Sequence, residues 1–165
     1  GRCFSRWERR LLRNWSVVYV GNLIGAVGLV GAFWFTGLLA PDTAFGATAI
    51  RVATAKAALN PLEMLAKGAL CNALVCLAVW LTFSARDTTG KIFAILWPIS
   101  TFVLLGLEHS IANMYLIPLG ILAGADIGIG AAFGNLFWVT LGNIIGGAGG
   151  VALAYRYAYL GGKKV

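Results

Sequence analysis

The chain has 165 residues, of which 59% are apolar and only 12% are charged. Its mean hydropathy is +0.82. Soluble domains carry about a quarter charged residues, because charges cover the surface that faces water. This composition excludes a soluble domain and indicates one membrane domain over residues 1–165. The net charge of +7 is concentrated at a few places in the sequence, which is typical of cytoplasmic loops and argues against a nucleic-acid partner.

Four apolar stretches follow a basic segment at residues 1–14. They cover residues 15–39, 62–83, 92–123 and 127–160. The first contains 25 residues without a charge, enough to cross about 30 Å of hydrocarbon. The segment Ala40–Lys56 that follows it is predicted to be a loop. The third stretch holds Pro98, Glu108, His109 and Pro118, and it is predicted to be an interrupted span, since one straight helix would be too long.

The basic residues predict which loops face the cytoplasm. Ten of the 13 lie in residues 1–14, in the short loop 84–91 or near the C-terminus. If these regions are inside, residues 40–56 and 124–126 are outside, and four crossings bring both termini to the same side. The sequence therefore predicts an all-α, multi-pass helical bundle with both ends in the cytoplasm. It leaves open whether the membrane is a plasma membrane, an inner membrane or an organelle membrane.

An internal repeat relates the first and last spans. VYVGNLIGA begins at Val18 and VTLGNIIGG at Val139, an offset of 121 that pairs Asn22 with Asn143. The copies are three spans apart, so they are predicted to cross in opposite directions, as in the inverted repeats of transporters. The same offset puts the start of a complete first unit about 65 residues before Gly1, whereas the alternative is a four-span protein. Close helix packing within a protomer is predicted for the glycines that accompany the repeat, which are Gly21, Gly25, Gly28, Gly142, Gly146 and Gly150.

The interruption of the third span, GLEHSIANMYLIPLG from Gly106 to Gly120, is the strongest candidate site. One half-helix is predicted to end near Leu107 and a second to follow Ser110, its N-cap. Irregular backbone at membrane depth is tolerated where it lines a cavity or is buried in protein. His109 is the only histidine, and at this depth we favour a functional role over a merely buried imidazole. Glu108 is predicted to accept hydrogen bonds from N–H groups that the break frees.

Few other polar residues lie within or beside the spans. Lys56, just before the second span, is either an ordinary solvated lysine or a site residue. Asn72 lies inside the second span, where an amide needs a partner, so it is predicted to face the bundle. Asn22 and Asn143, which the repeat pairs, are interpreted as fasteners between helices.

Several kinds of chemistry are disfavoured by what the sequence contains. It has no CxxC, HExxH or P-loop motif and no Ser/His/Asp arrangement, and one histidine is too few for a multi-ligand metal site. Cys3, Cys71 and Cys76 give no disulfide framework, because two of them lie within an apolar stretch. The sequence therefore predicts neither an enzyme nor a metal site nor a cofactor.

Four segments resemble the formate/nitrite transporter family. In chain order they are VYVGNLIGA, CNALVCLAVWLTF, GLEHSIANMYLIPLG and VTLGNIIGG, between Val18 and Gly147. EHSIANM followed by IPLG is the most specific of these matches. The resemblance implies an aquaporin-like fold with a broken helix, in which His109 is the central pore histidine. Lys56, sixteen residues before Asn72, matches the vestibule lysine of the family.

The resemblance also implies a mechanism and an assembly. It places Phe102 and Val75 at the outer and inner apolar constrictions of a pore. Family members are homopentamers that carry small monovalent anions, such as formate, nitrite, lactate or hydrosulfide, through one pore per protomer. By this resemblance the chain is a proton-coupled channel or transporter in a lipid bilayer. It departs from the family pattern in lacking the first two spans and in carrying Arg156 where an aromatic residue is commoner.

Two alternatives remain at this stage. The first is a structural subunit of a larger membrane complex, derived from the same family, that does not transport. The second is a neutral-solute pore of the aquaporin type. The second is disfavoured because the third span reads EHS at its break and contains no NPA motif. The sequence leaves open which anion is carried, in which direction, and what opens the pore.

Overall fold

The computed structural model describes residues 6–160, and every regular element in that range is a helix. In chain order these are α1 (Arg6–Trp34), α2 (Ala44–Ala57), α3 (Pro61–Ser84), α4 (Thr88–Leu104), α5 (Ser110–Ala123), α6 (Ile129–Ile144), a π-helix (Ile145–Ala152) and α7 (Leu153–Leu160). The predicted all-α class is confirmed. The predictions that concern Arg2, Cys3, Lys163 and Lys164 fall outside the described residues.

Three helical segments are long and apolar enough to cross a membrane: Arg9–Trp34, Pro61–Ser84 and Ile129–Tyr159. The third apolar stretch of the sequence forms two shorter apolar helices, α4 and α5, with non-helical residues between them. The predicted break in the third span is therefore confirmed. The first half-helix ends at Leu104 rather than near Leu107, and the second begins at Ser110.

The segment predicted as an outer loop, Ala40–Lys56, is largely helical, and that prediction is wrong. Helix α2 occupies Ala44–Ala57, where alanine, the strongest helix former, is the commonest residue. This helix is short and contains Arg51 and Lys56, so it does not stand out in the sequence as a long uncharged stretch. Only Ala58–Asn60 separate it from α3, which begins with a capping box formed by Asn60 and Glu63.

The chain divides into two compact units. The first comprises residues 1–55 and 111–127, which contribute α1, most of α2 and nearly all of α5. Its core contains Val30, Leu39, Ala49, Leu119 and Ala123. The ring of Phe33 stacks on Phe45 with centroids 5.4 Å apart and meets the ring of Tyr115 edge-on at 6.1 Å. Helices α2 and α5 approach so closely that a Cβ at Gly120 would overlap the side chain of Ala53.

The second unit comprises residues 56–110 and 128–165, with α3, α4, α6, the π-helix and α7. Its centre is the contact between α3 and α6, where glycines let the two backbones meet. A Cβ at Gly142 would overlap the carbonyl of Leu65, and a Cβ at Gly146 would overlap the carbonyl of Ala69. For Gly142 and Gly146 the predicted close packing is confirmed.

Within the described residues, the glycines of α1 do not make the close packing predicted for them. A Cβ placed on Gly21, Gly25 or Gly28 would find no atom within 4 Å. These residues lie on exposed surface of α1, so no backbone comes near enough to require glycine. The nearest atom to a Cβ on Gly150 is the carbonyl oxygen of Ile145, at 3.9 Å and in the same π-helix.

Candidate functional site

The break between α4 and α5 begins with a helix-terminating turn. Gly106 has a φ of 60°, in the left-handed region that favours glycine. Its N–H donates to the carbonyl of Val103 at 3.1 Å, and the N–H of Leu107 donates to that of Phe102 at 3.0 Å. These two bonds form a Schellman motif, which satisfies carbonyls that the end of α4 leaves without partners. The motif ends α4 just before Glu108 and His109.

Asn143 of α6 holds the backbone on both sides of His109. Its Oδ1 accepts a hydrogen bond from the N–H of Ser110 at 2.9 Å. Its Nδ2 donates to the carbonyl of Glu108 at 3.0 Å and to that of Gly68 in α3 at 2.9 Å. One buried amide thus joins three segments of the second unit, and two of them flank the histidine. As predicted from the sequence, Asn143 fastens helices, but it does so at the candidate site.

Glu108 forms an ion pair with Lys56. The Nζ of Lys56 lies 2.8 Å from Oε1 of Glu108, and the two side chains are only 14% and 2% exposed. This partner of Glu108 was missed by the sequence analysis, which expected bonds from backbone N–H groups. Lys56 is therefore a partly buried, paired lysine and not an ordinary solvated one. The sequence did contain a signal, because only Arg51, Lys56 and Lys67 lie outside the basic clusters.

Two further amides of the second unit donate to main-chain carbonyls near this site. Asn72 of α3 donates from Nδ2 to the carbonyl of Asn143 at 2.6 Å, which supplies the partner that an amide inside a span needs. Asn135 of α6 is fully buried and donates from Nδ2 to the carbonyl of Lys56 at 3.0 Å. Asn135 was missed by the sequence analysis. The offset of 121 pairs it with Asn14, so extending the repeat by one helical turn would have drawn attention to it.

His109 lies against the ring of Phe102. The ring centroids are 6.0 Å apart with an angle of 28° between the ring planes, and both side chains are half-buried. The structure thus brings together Lys56, Glu108, His109 and Phe102. Val75 is half-buried in α3, about one helical turn beyond Asn72. Asn22 is not part of this cluster: it is exposed on α1 and bonds the carbonyl of Val18 in its own helix at 2.8 Å.

The chemistry available at this cluster is that of an ammonium, a carboxylate and an imidazole on apolar helices. Within residues 6–160, no three or more His, Cys, Asp or Glu side chains are grouped so as to hold a metal ion. Cys71 and Cys76 are both free thiols. An ammonium and an imidazole both donate hydrogen bonds to anions, and the imidazole can also exchange a proton near neutral pH. The cluster therefore supplies hydrogen-bond donors for an anion and one group that can exchange a proton near neutral pH.

Comparisons with known proteins agree with this chemistry. A family model described as formate/nitrite transporter matches residues 4–157. The formate channel FocA of Haemophilus influenzae is 36% identical, in a match that covers 90% of this chain and 59% of FocA. A probable formate transporter of Methanothermobacter thermautotrophicus is 43% identical over 91% of this chain and 60% of its own length. The chain therefore spans about 60% of the length of these curated relatives.

A solved structure has the same fold. It is described as a pentameric formate channel with formate bound, and it is 38% identical to this chain with a TM-score of 0.83. The match covers 92% of this chain and 67% of that one. These similar proteins are channels and transporters, which supports the sequence prediction of an integral membrane transport protein rather than an enzyme.

Proposed function

Because this chain belongs to the formate/nitrite transporter family, we propose that the protein carries small monovalent anions of weak acids, such as formate and nitrite, across a membrane. We further propose that His109 couples their passage to protons. The observation that supports this most strongly is the position of His109. It lies at a break between two apolar helices, beside the Lys56–Glu108 ion pair and the ring of Phe102.

The physical problem for such a protein is the charge of its substrate. Moving an ion out of water costs several kcal/mol, even after the protein relaxes around it. Lys56 carries three N–H donors, of which one bonds Glu108, so an approaching anion can be attracted and bound there. Glu108 holds the ammonium near the break and keeps the pair close to neutral without an anion. Lys56 then acts on the affinity for the anion and not on the central step.

Protonation removes the cost of crossing the apolar constrictions that we assign to Phe102 and Val75. A carboxylic acid with a pKa near 4, like a Glu side chain, is neutral in only about one molecule in a thousand at pH 7. A site that couples anion entry to proton uptake raises that fraction. Imidazole has an ordinary pKa near 6.5 and suits this role better than any other side chain of the cluster. The neutral acid can then pass both constrictions.

We propose that the protein works as a homopentamer with one pore per protomer, in keeping with the pentameric formate channel that it resembles. The second candidate is a subunit that does not transport and belongs to a larger membrane complex. Uptake measurements distinguish the two.

The test is pH-jump uptake of labelled formate and nitrite into liposomes that contain the full-length protein. His109→Phe should abolish proton-coupled uptake of both anions while leaving folding intact, because the ring is replaced and the exchangeable proton is lost. His109→Asn keeps a hydrogen-bonding group, so it should retain some passage with an altered pH dependence. An unchanged rate and pH profile in His109→Phe would refute the proposed role of this histidine. No uptake by the wild type would favour the structural subunit.

Lys56 provides a second arm of this experiment. Lys56→Ala should raise the formate concentration that gives half-maximal uptake and leave the maximal rate nearly unchanged, because it removes attraction and not the central site. Lys67→Ala is the matched control, since Lys67 lies on α3 and has no ion pair within the described residues. Equal effects of the two substitutions would contradict the role proposed for Lys56.

A further inference from the structure

Asn135 has no role in the mechanism proposed above, yet it is the most fully enclosed polar side chain of α6. Its exposed fraction is 0%. Burying an amide among apolar side chains costs free energy unless it is hydrogen-bonded. The Nδ2 of Asn135 meets this requirement by donating to the carbonyl of Lys56 at 3.0 Å. The partner is a main-chain atom of the very residue whose ammonium forms the ion pair.

The carbonyl of Lys56 is one that needs such a donor. Lys56 is the last residue but one of α2, and the final carbonyls of a helix have no partner within it. The chain then passes through Ala58–Asn60 to the capping box of α3. The bond from Asn135 therefore fixes the main chain at the end of α2, just before the short connection to α3.

The ion pair is held from α6 at both of its partners. Asn135 bonds the carbonyl of Lys56, and Asn143 bonds the carbonyl of Glu108 at 3.0 Å. The two asparagines are eight residues apart, which corresponds to about 12 Å along a straight α-helix. Because the helix fixes this spacing, it also fixes where the main chains of Lys56 and Glu108 lie. The Nζ and Oε1 atoms meet at 2.8 Å within this frame.

We propose that Asn135 is a positioning residue that places the ammonium of Lys56 against Glu108. A buried ion pair is favourable only with good geometry, so a shift in the Lys56 main chain weakens it. Asn135 acts through Lys56 and does not touch the anion. Its consequence for transport rests on the function proposed above, whereas its consequence for the ion pair does not.

The first measurement is chemical modification of lysines in the full-length protein in liposomes, using an acetylating reagent and peptide mass spectrometry. Asn135→Leu removes the amide at similar volume and should raise the modification of Lys56 several-fold, with Lys67 and Lys91 unchanged. Asn135→Thr is a second variant, because a threonine hydroxyl can bond the carbonyl of its own preceding turn and so preserve folding. The matched control is Asn22→Leu, where the amide is exposed and bonds its own helix. Unchanged modification of Lys56 in both Asn135 variants would overturn the proposal.

The second measurement is the formate concentration for half-maximal uptake. Asn135→Leu should raise it several-fold in the wild-type background and should have little further effect in Lys56→Ala, because the two residues act through one contact. An equal rise in both backgrounds would overturn the proposal, since Asn135 would then act independently of Lys56. Increased modification of Lys56 with unchanged half-saturation would support the positioning role and contradict the transport role proposed for Lys56.

Discussion

A carboxylate and an ammonium lie together within helices that are otherwise strongly apolar. Glu108 is 2% exposed, so its charge has almost no contact with water. Desolvation of two ions can exceed their mutual attraction, and a well-packed apolar pair of the same volume is often as stable. The Lys56–Glu108 pair is therefore not explained by a contribution to folding stability. Its role is better understood as placing one positive and one negative group at fixed positions near His109.

The pair nevertheless makes each partner sensitive to loss of the other. Glu108→Gln should lower the stability of the folded protein by about 3–5 kcal/mol, because it leaves the ammonium of Lys56 without its counter-charge. Adding Lys56→Met should recover part of this loss, since no charge then remains unpaired. Thermal unfolding in detergent measures both effects.

The control for this prediction is Glu63→Gln. Glu63 is exposed and closes the capping box with the N–H of Asn60, a bond that glutamine can also accept. Its substitution should change stability by no more than about 0.5 kcal/mol. Similar small changes in Glu108→Gln and Glu63→Gln would contradict the importance of the buried pair.

The residue types of the site could be predicted from the sequence, but their contacts could not. His109, Glu108 and Asn72 were identified because polar groups inside apolar stretches are costly and need partners. The pairing of Glu108 with Lys56 joins residues 52 positions apart, and no periodicity within one helix specifies it. Asn135 was overlooked because an isolated asparagine carries no motif and lies one helical turn before the start of the repeat.

At the scale of helices, apolar length predicted the spans well and short helices poorly. The break between α4 and α5 followed from two prolines and two ionisable residues in one long stretch. Helix α2 was missed because its alanine-rich sequence also contains Arg51 and Lys56. Charged residues between two apolar stretches are typical of a loop. The π-helix at Ile145–Ala152 was also missed, since its glycines predict close packing and not a change of helical period.

Glycines at matching positions of the repeat behave differently in α1 and in the second unit. A Cβ at Gly146 would overlap the backbone of Ala69, whereas a Cβ at Gly25 would meet no atom within 4 Å. The offset of 121 relates these two residues, and yet only Gly146 has a helix packed against it. The same sequence motif therefore imposes a steric requirement in one element and none in the other, within the described residues.

This difference predicts opposite outcomes for one substitution. Gly146→Leu should destabilise the protein by about 3 kcal/mol or more, the upper end of what overpacking costs. The reason is that the α3 backbone cannot move away from the new side chain without disrupting the packing of the second unit. Gly25→Leu should leave the yield and thermal unfolding of this chain nearly unchanged. Purification yield and unfolding temperature in detergent measure both. Destabilisation by Gly25→Leu would show that the α1 glycines pack against a part of the protein outside the described residues.

At the scale of the whole molecule, the basic residues and the aromatic contacts agree within the second unit. Trp80, near the end of α3, stacks on Tyr155 of α7 with ring centroids 4.0 Å apart and an angle of 5° between the rings. The C-terminal part of α3 and α7 therefore lie at the same end of this unit. Arg86 follows α3 and Arg156 lies in α7, so basic residues from two distant parts of the sequence lie at the same end of the second unit.

The last prediction is that the end of the second unit that carries Arg86 and Arg156 faces the cytoplasm. Ten of 13 basic residues then face inward, as the positive-inside rule requires. Residues 40–56, which contain most of α2, are then predicted to face outward. Single cysteines at Asp42 and Thr88, both exposed positions, report the two sides in a protein whose native cysteines are replaced by alanine. A membrane-impermeant maleimide added to intact cells should label Asp42→Cys and should label Thr88→Cys only after permeabilisation. The reverse pattern would show the opposite orientation, and Lys56 would then attract anions from the cytoplasm.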